Sequence, residues 1–154
     1  MTLEELSAKV DELTCKSDCR ELMINFFGSL DRRDDELWAS TLTDDAKQHS
    51  PRHPAGHISM KDHWRMVKSK TDFFPVHILT NAVVSRTGPD TAEATVHSTA
   101  WNVFGSPDDK LPRPMLDKPS RIGRMIVKFR KTDKGWRISD FMGGEGPYLD
   151  CGRT

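Results

Sequence analysis

Cysteine is scarce in this chain. Cys15, Cys19 and Cys151 are the 3 cysteines of 154 residues. An odd count with no secretory leader ahead of it argues against a disulfide framework. Cys15 and Cys19 share a face if their segment is helical, but their Cβ vectors then point the same way, a poor bridging geometry. All three are read as reduced thiols with packing roles. Long apolar runs are missing too: none approaches the roughly 20 residues that a membrane-spanning helix needs. Neither sign of charge is in excess. Lys and Arg total 23, as do Asp and Glu, so nothing electrostatic draws the chain to nucleic acid or an anionic membrane. The opening MTLEELSAKVDEL is acidic and amphipathic, unlike the basic-then-apolar layout of a signal peptide. The expected location is the cytoplasm. There is no internal repeat.

What is present suits one soluble globular domain with a real core: 36% hydrophobic and 30% charged residues. The expected domain covers residues 1–144, with 145–154 as a partly disordered tail. The first third reads as helical. Leu3, Leu6, Val10 and Leu13 recur at helical spacing, and Ser17 with Asp18 offers an N-cap for a second helix that carries Leu22 to Leu30. A short helix follows in DDELWASTL, then TDDA as a turn. Residues 46–58, with Pro51 and Pro54, predict one or two short strands, and SMKDHWRMVKSK a helix capped by Ser59. Four long β-type runs come next: VHILTNAVVSR, TAEATVHSTAWNVF, IGRMIVKFRK and WRISDFM, with TGPD and TDKG as hairpin turns. The proline-rich stretch from Gly105 to Ser120 is too long for a simple turn and reads as a mobile loop, either a lid or a connector. Helices followed by a mainly antiparallel sheet define the α+β class. A curved sheet wrapped round the helices makes a cone-shaped cavity.

One residue stands out. In DFFPVHILTNAVV, His77 sits among Val76, Ile78, Leu79 and Val83. An imidazole there is either a core histidine bonded to a backbone carbonyl or part of a pocket wall.

The order of elements, together with FFGSLDRRDDELWASTLTDDA, FPVHILTNAVV and WRISDF after KFRKTDKG, resembles the SnoaL-like branch of the nuclear transport factor 2-like superfamily. That group includes scytalone dehydratase, polyketide cyclases and ketosteroid isomerase-like enzymes. The resemblance spans roughly residues 3–142 and rests on order and spacing more than on any one motif. Carried over, the family's Asp–His dyad falls on Asp31 and His77, and the further histidine of scytalone dehydratase on His97. The chain departs from that enzyme elsewhere. Leu30 stands where it has a tyrosine, and Gly123 and Met125 where it has polar groups. The only tyrosine is Tyr148. Tyrosine-held water is therefore not expected, and the substrate differs from scytalone.

Strict strand alternation places His77 with Leu79, Asn81 and Val83, and His97 with Thr95, Thr99 and Trp101. Both faces mix polar and apolar groups as a ligand cavity does. Asp31 then orients His77 as general base, His97 acts as acid, and Asn81 or Thr99 orients a carbonyl. Phe27, Trp38, Trp64, Phe73, Trp101 and Met125 are the expected substrate-binding wall. No cofactor is required. His49, His53, His57 and His63 tempt a metal assignment, but Pro51, Pro54 and Gly56 deny them a regular helix. The implied activity is dehydration, isomerisation or cyclisation of a hydrophobic ring-bearing molecule such as a polyketide, steroid or terpenoid. The alternatives are a binding or assembly module, or the small subunit of a ring-hydroxylating dioxygenase. The family resemblance also implies a homodimer or homotrimer paired through its sheets.

Overall fold

One helix, α1 (Leu3–Arg32), opens the chain where the sequence predicts two. The computed structural model describes residues 1–49, 54–69, 73–104, 121–143 and 149–150. Ser17 and Asp18 stay helical because the buried face, Cys15, Cys19, Met23 and Phe26, runs past them unbroken. No glycine or proline interrupts the segment before Gly28. Thr2 starts the helix with a capping box to Glu5, and Arg33 ends it in the left-handed region at φ 56°. α2 (Asp35–Ser40) follows at once, its N-cap Asp34 accepting from the Leu37 amide.

β1 (Leu42–His49) includes TDDA, which is strand and not turn. Within this strand, pairing with the last long strand shifts register between Leu42 and Lys47. β2 (His57–Ser59) and α3 (Met60–Lys68) come next, Ser59 capping α3 as expected. The long strands are β3 (Phe73–Arg86), β4 (Thr91–Phe104), β5 (Arg121–Thr132) and β6 (Gly135–Gly143). The TDKG turn closes on Gly135 at φ 91°, where a side chain is strained. β7 (Leu149–Asp150) returns to pair with the start of β5. The stretch at 105–120, with His53, Pro51 and Tyr148, lies outside the described residues.

The sheet runs β2-β1-β6-β5-β4-β3, with β1 parallel to β6 and the other pairs antiparallel. α1 lies across its concave face, and the α+β class is as expected. Met23, Phe26, Phe27 and Leu30 share one core there with Val127 and Phe129 of β5 and Trp136, Ile138 and Phe141 of β6, Phe26 lying 4.5 Å from Phe141 between ring centres. Such bulky helix side chains need a thin wall opposite, and β4 supplies it: Ala92, Ala94, Val96, Ser98 and Ala100 are its buried residues.

That alternation overturns the expected facing of β4. Thr95, His97, Thr99 and Trp101 project from the other, outer face, and His97 is exposed. On β3 a bulge between Thr80 and Val83, with Asn81 at φ 54°, resets the period. His77 and Leu79 face inward before it, and Ala82 and Val84 after it, so Asn81 and Val83 are exposed. Val84 belongs to the core and not, as strict alternation implied, to the face of Val76 and Ile78.

Candidate functional site

Asp31 occupies the last turn of α1, where a carboxylate opposes the negative end of the helix dipole. What holds it there is His77. Its Oδ2 accepts the His77 backbone N–H at 3.1 Å, and its Oδ1 accepts Nδ1–H at 2.6 Å. β3 is the edge strand of the sheet, so the first bond occupies an amide that no neighbouring strand reaches. The second fixes the ring tautomer, leaving Nε2 as the nitrogen available to a substrate. Both side chains are partly accessible, 14% for His77 and 25% for Asp31.

Phe27, one turn before Asp31, lies 5.0 Å from the imidazole between ring centres at 51°. It is braced in turn by Phe26 at 5.2 Å and Phe141 at 6.1 Å. Across the ladder His77 faces Ala100, and Leu79 faces Ser98. Ser98 is a buried hydroxyl on the inner face, diagonal to the dyad. Met125 of β5 pairs with Val96 on that same inner face. Asp31, His77, Phe27 and Met125 are therefore brought to one side of the sheet.

Four other expected site residues are not. His97, Asn81, Thr99 and Trp101 lie across the sheet from the dyad, because β4 turns its small residues inward and the bulge rotates Asn81 out. His97 faces Thr80 and Arg124 on the outer surface. The side chain of Phe73 lies outside the described residues. Trp38 and Trp64 stack on each other at 5.1 Å and 15°, joining α2 to α3. Trp64 Nε1–H donates to Asp35 Oδ1 at 2.6 Å, and Lys68 Nζ donates to both oxygens of that carboxylate. These bonds, from Lys68 first and Trp64 second, hold the Asp35 carboxyl below its ordinary range. Trp38 also lines, with Leu42, Thr43, His57 and Met60, a cavity of about 270 Å³ that neither Asp31 nor His77 borders.

Ser98 is what sequence reasoning missed. The signal was the series Ala92, Ala94, Val96, Ser98, Ala100, whose small side chains mark the face a helix can cover closely. As for the histidine group, His49 Nε2 pairs with Asp140 Oδ1 at 3.1 Å, and His57 lies opposite His49 across the β1–β2 ladder. Among the described residues no three such side chains converge as metal ligands.

The comparisons agree with this architecture. The SnoaL-like domain profile matches residues 11–141. No curated protein matches the chain in sequence. Among solved structures, a nuclear transport factor 2-like protein with a cystatin-like fold from Novosphingobium aromaticivorans is similar at 20% identity and TM-score 0.74, covering 92% of this chain and 88% of that one. A type 2 hexachlorocyclohexane dehydrochlorinase is similar at 13% identity and TM-score 0.68, with 92% and 91% covered. A scytalone dehydratase candidate from N. aromaticivorans is similar at 14% identity and TM-score 0.66, again with 92% and 91% covered. At such identities these likenesses concern the fold alone. With the profile spanning most of its length, the chain belongs to the SnoaL-like family, within the nuclear transport factor 2-like fold.

Proposed function

We propose that the chain is a cofactor-independent lyase or isomerase, with His77 as general base and Asp31 as the group that orients it. The reading rests on one observation, the 2.6 Å bond between Asp31 Oδ1 and His77 Nδ1. A carboxylate on Nδ1 commits Nε2 to accepting a proton and stabilises the imidazolium that results. Proton abstraction from an acidic C–H next to a carbonyl or leaving group is the reaction class this suits. It leads to dehydration, isomerisation or cyclisation. Phe27 against the imidazole and Met125, two strands away on the same inner face, favour a hydrophobic, ring-bearing substrate. Polyketide, steroid and terpenoid intermediates have that chemistry. Ser98, not His97, is the inner-face hydroxyl suited to bond a carbonyl or a departing hydroxyl.

A purely architectural role draws on the same contact, since Asp31 also caps an edge-strand amide. The two readings separate in one experiment. Ring-bearing ketones and β-hydroxyketones are incubated with the protein in D2O, and deuterium uptake is followed by mass spectrometry. Catalysis requires uptake that His77→Ala abolishes while the Tm stays near that of the parent. A Tm collapse in His77→Ala, or uptake undiminished by it, removes the enzymatic reading. A non-catalytic binding or assembly module predicts no uptake with any compound.

A further inference from the structure

We propose that α1 is the axis of a homodimer in which two copies of this chain pair their first helices in parallel, along a stripe that the fold leaves bare. The first buried residue of α1 is Cys15, so three turns of helix precede any contact with the core. Along those turns Leu3, Leu6, Val10 and Leu13 are 84%, 43%, 52% and 61% exposed, and Ile24 further on is 64% exposed. A bare helical arm of about a dozen residues is marginal in water, and four aliphatic side chains in a row on it have nothing to gain from solvent.

The spacing of the stripe names its occupant. Positions 3, 6, 10, 13, 17, 20 and 24 alternate steps of three and four, the heptad seam of a coiled coil. Leu3, Val10, Ser17 and Ile24 take the a positions, and Leu6, Leu13 and Arg20 the d positions. Val10 and Ile24, β-branched at two of the four a positions, and Leu6 and Leu13 at two of the three d positions match the pattern that favours two parallel strands. The charges at the edge of the seam favour the same orientation, offsetting the meeting of Arg20 with its own copy at d. Lys9 and Lys16 lie at g, and Glu21 at e. Parallel pairing sets Lys16 of each copy beside Glu21 of the other, two equivalent contacts by symmetry, whereas antiparallel pairing sets lysine against lysine. Lys16 bonds Glu12 of its own helix, at a c position away from the seam, so its ammonium turns from Glu12 to the partner's Glu21 when the helices pair.

The geometry leaves room for the second copy. The face that α1 buries in its own domain, Cys15, Cys19, Met23 and Phe26, lies on the other side of the helix. Where the stripe turns polar at Ser17 and Arg20, the surface bordered by Leu13, Lys16, Ser17, Arg20, Glu21 and Ile24 is open. In the pair the partner helix lies along that face, extending the contact over three heptads, about 32 Å of helix. This association uses the helix and not the sheets that the family resemblance points to.

The test is the solution mass with and without the stripe. The full-length parent sediments at twice 17.5 kDa or a multiple of it. Leu6→Glu combined with Val10→Glu halves that mass, with no change in Tm beyond dissociation, because both sites lie on the surface of the monomer. In a Cys151→Ser background, Val10→Cys is cross-linked by mild oxidation, because residue 10 meets its own copy in a parallel pair. Ala8→Cys, on another side of the helix, is not. A monomeric parent, a mass that survives the glutamates, or a Val10→Cys chain that fails to cross-link each overturns the proposal. The last result together with a monomeric parent means that the stripe is covered from within its own chain.

Discussion

Asp31 grips His77 twice, through the backbone amide and through the ring, so that one carboxylate sets both the position and the tautomer of one residue. The two bonds are separable in function. The amide bond ties α1 to the edge of the sheet, and under the proposed function only the ring bond bears on proton transfer. In Asp31→Asn the side-chain amide offers one acceptor and one donor in place of two acceptors. If the donor faces the ring, Nδ1 must accept and Nε2 carries the proton. The base is then blocked without being moved. The expected outcome is a fall in kcat of about 10²–10⁴, the usual worth of a positioned general base, with KM little changed. Nitrogen-15 spectra of the imidazole check the cause directly. The parent shows the Nδ1–H tautomer and Asp31→Asn the Nε2–H tautomer. A parent in the Nε2–H form contradicts the dyad as described.

His97 and Ser98 are neighbours in sequence with opposite fates. His97 is exposed on the outer face, and Ser98 is buried on the inner face beside the dyad. Alanine at 97 is expected to leave turnover at the parent's level. Alanine at 98 is expected to cost about five-fold, one neutral hydrogen bond of about 1 kcal/mol. Steady-state kinetics on the two variants, with Tm as a control for folding, decide the matter. The reverse pattern means that the face assignment of β4 is wrong.

Asn81 is expected to matter for the backbone and not for a ligand. Its φ of 54° lies in the left-handed region, which asparagine tolerates and alanine resists. Asn81→Ala is therefore destabilising by about 1 kcal/mol, and Asn81→Gly, free of the penalty, is close to neutral. Urea melts measure both. Loss of activity in Asn81→Gly with stability intact restores Asn81 as a substrate contact.

The same bulge explains how far the sequence could be followed. Element types were legible because their local signals are strong. Ser59 before α3, the TDKG turn and the β-branched runs of β3 to β6 all read correctly. The Asp31–His77 contact, 46 residues apart in sequence, came from family resemblance, since no local pattern encodes a meeting between a helix end and a distant edge strand. Facing was lost at two points. Nothing local marks Thr80–Val83 as a bulge, because asparagine in a strand signals no fixed register, and one inserted residue inverts every side chain after it. On β4, the mix of histidine, threonine and tryptophan suggested a cavity wall, while the alanine series opposite was the truly buried one. β4 turns small residues inward because the helix brings Phe26, Phe27 and Met23 to the same core. The α1 continuity was missed for a related reason: Ser17 and Asp18 favour a cap in isolation, but packing on both sides of them decides otherwise.

Asp35 offers a prediction that depends on pH. Its carboxylate receives Lys68 Nζ at 2.7 Å and Trp64 Nε1–H at 2.6 Å, so α2 and α3 are joined through it. These donors favour the charged form and lower the folded-state pKa. The unfolded chain then holds its proton at a higher pH, near the ordinary value of about 3.9. The contribution to stability is therefore complete above that value and disappears as pH falls through the lower, folded one. Exposure of the pair to solvent keeps the contribution small. Asp35→Asn is accordingly expected to melt below the parent at neutral pH, with a gap that closes as pH falls below the ordinary carboxyl value and through the lowered folded-state one. Glu12 and Asp45, whose carboxyls are also held low by their own partners, titrate alike in both proteins and cancel in the difference. Paired melting curves across that range give the answer. A gap that does not change with pH means that shape and not charge joins the two helices at Asp35.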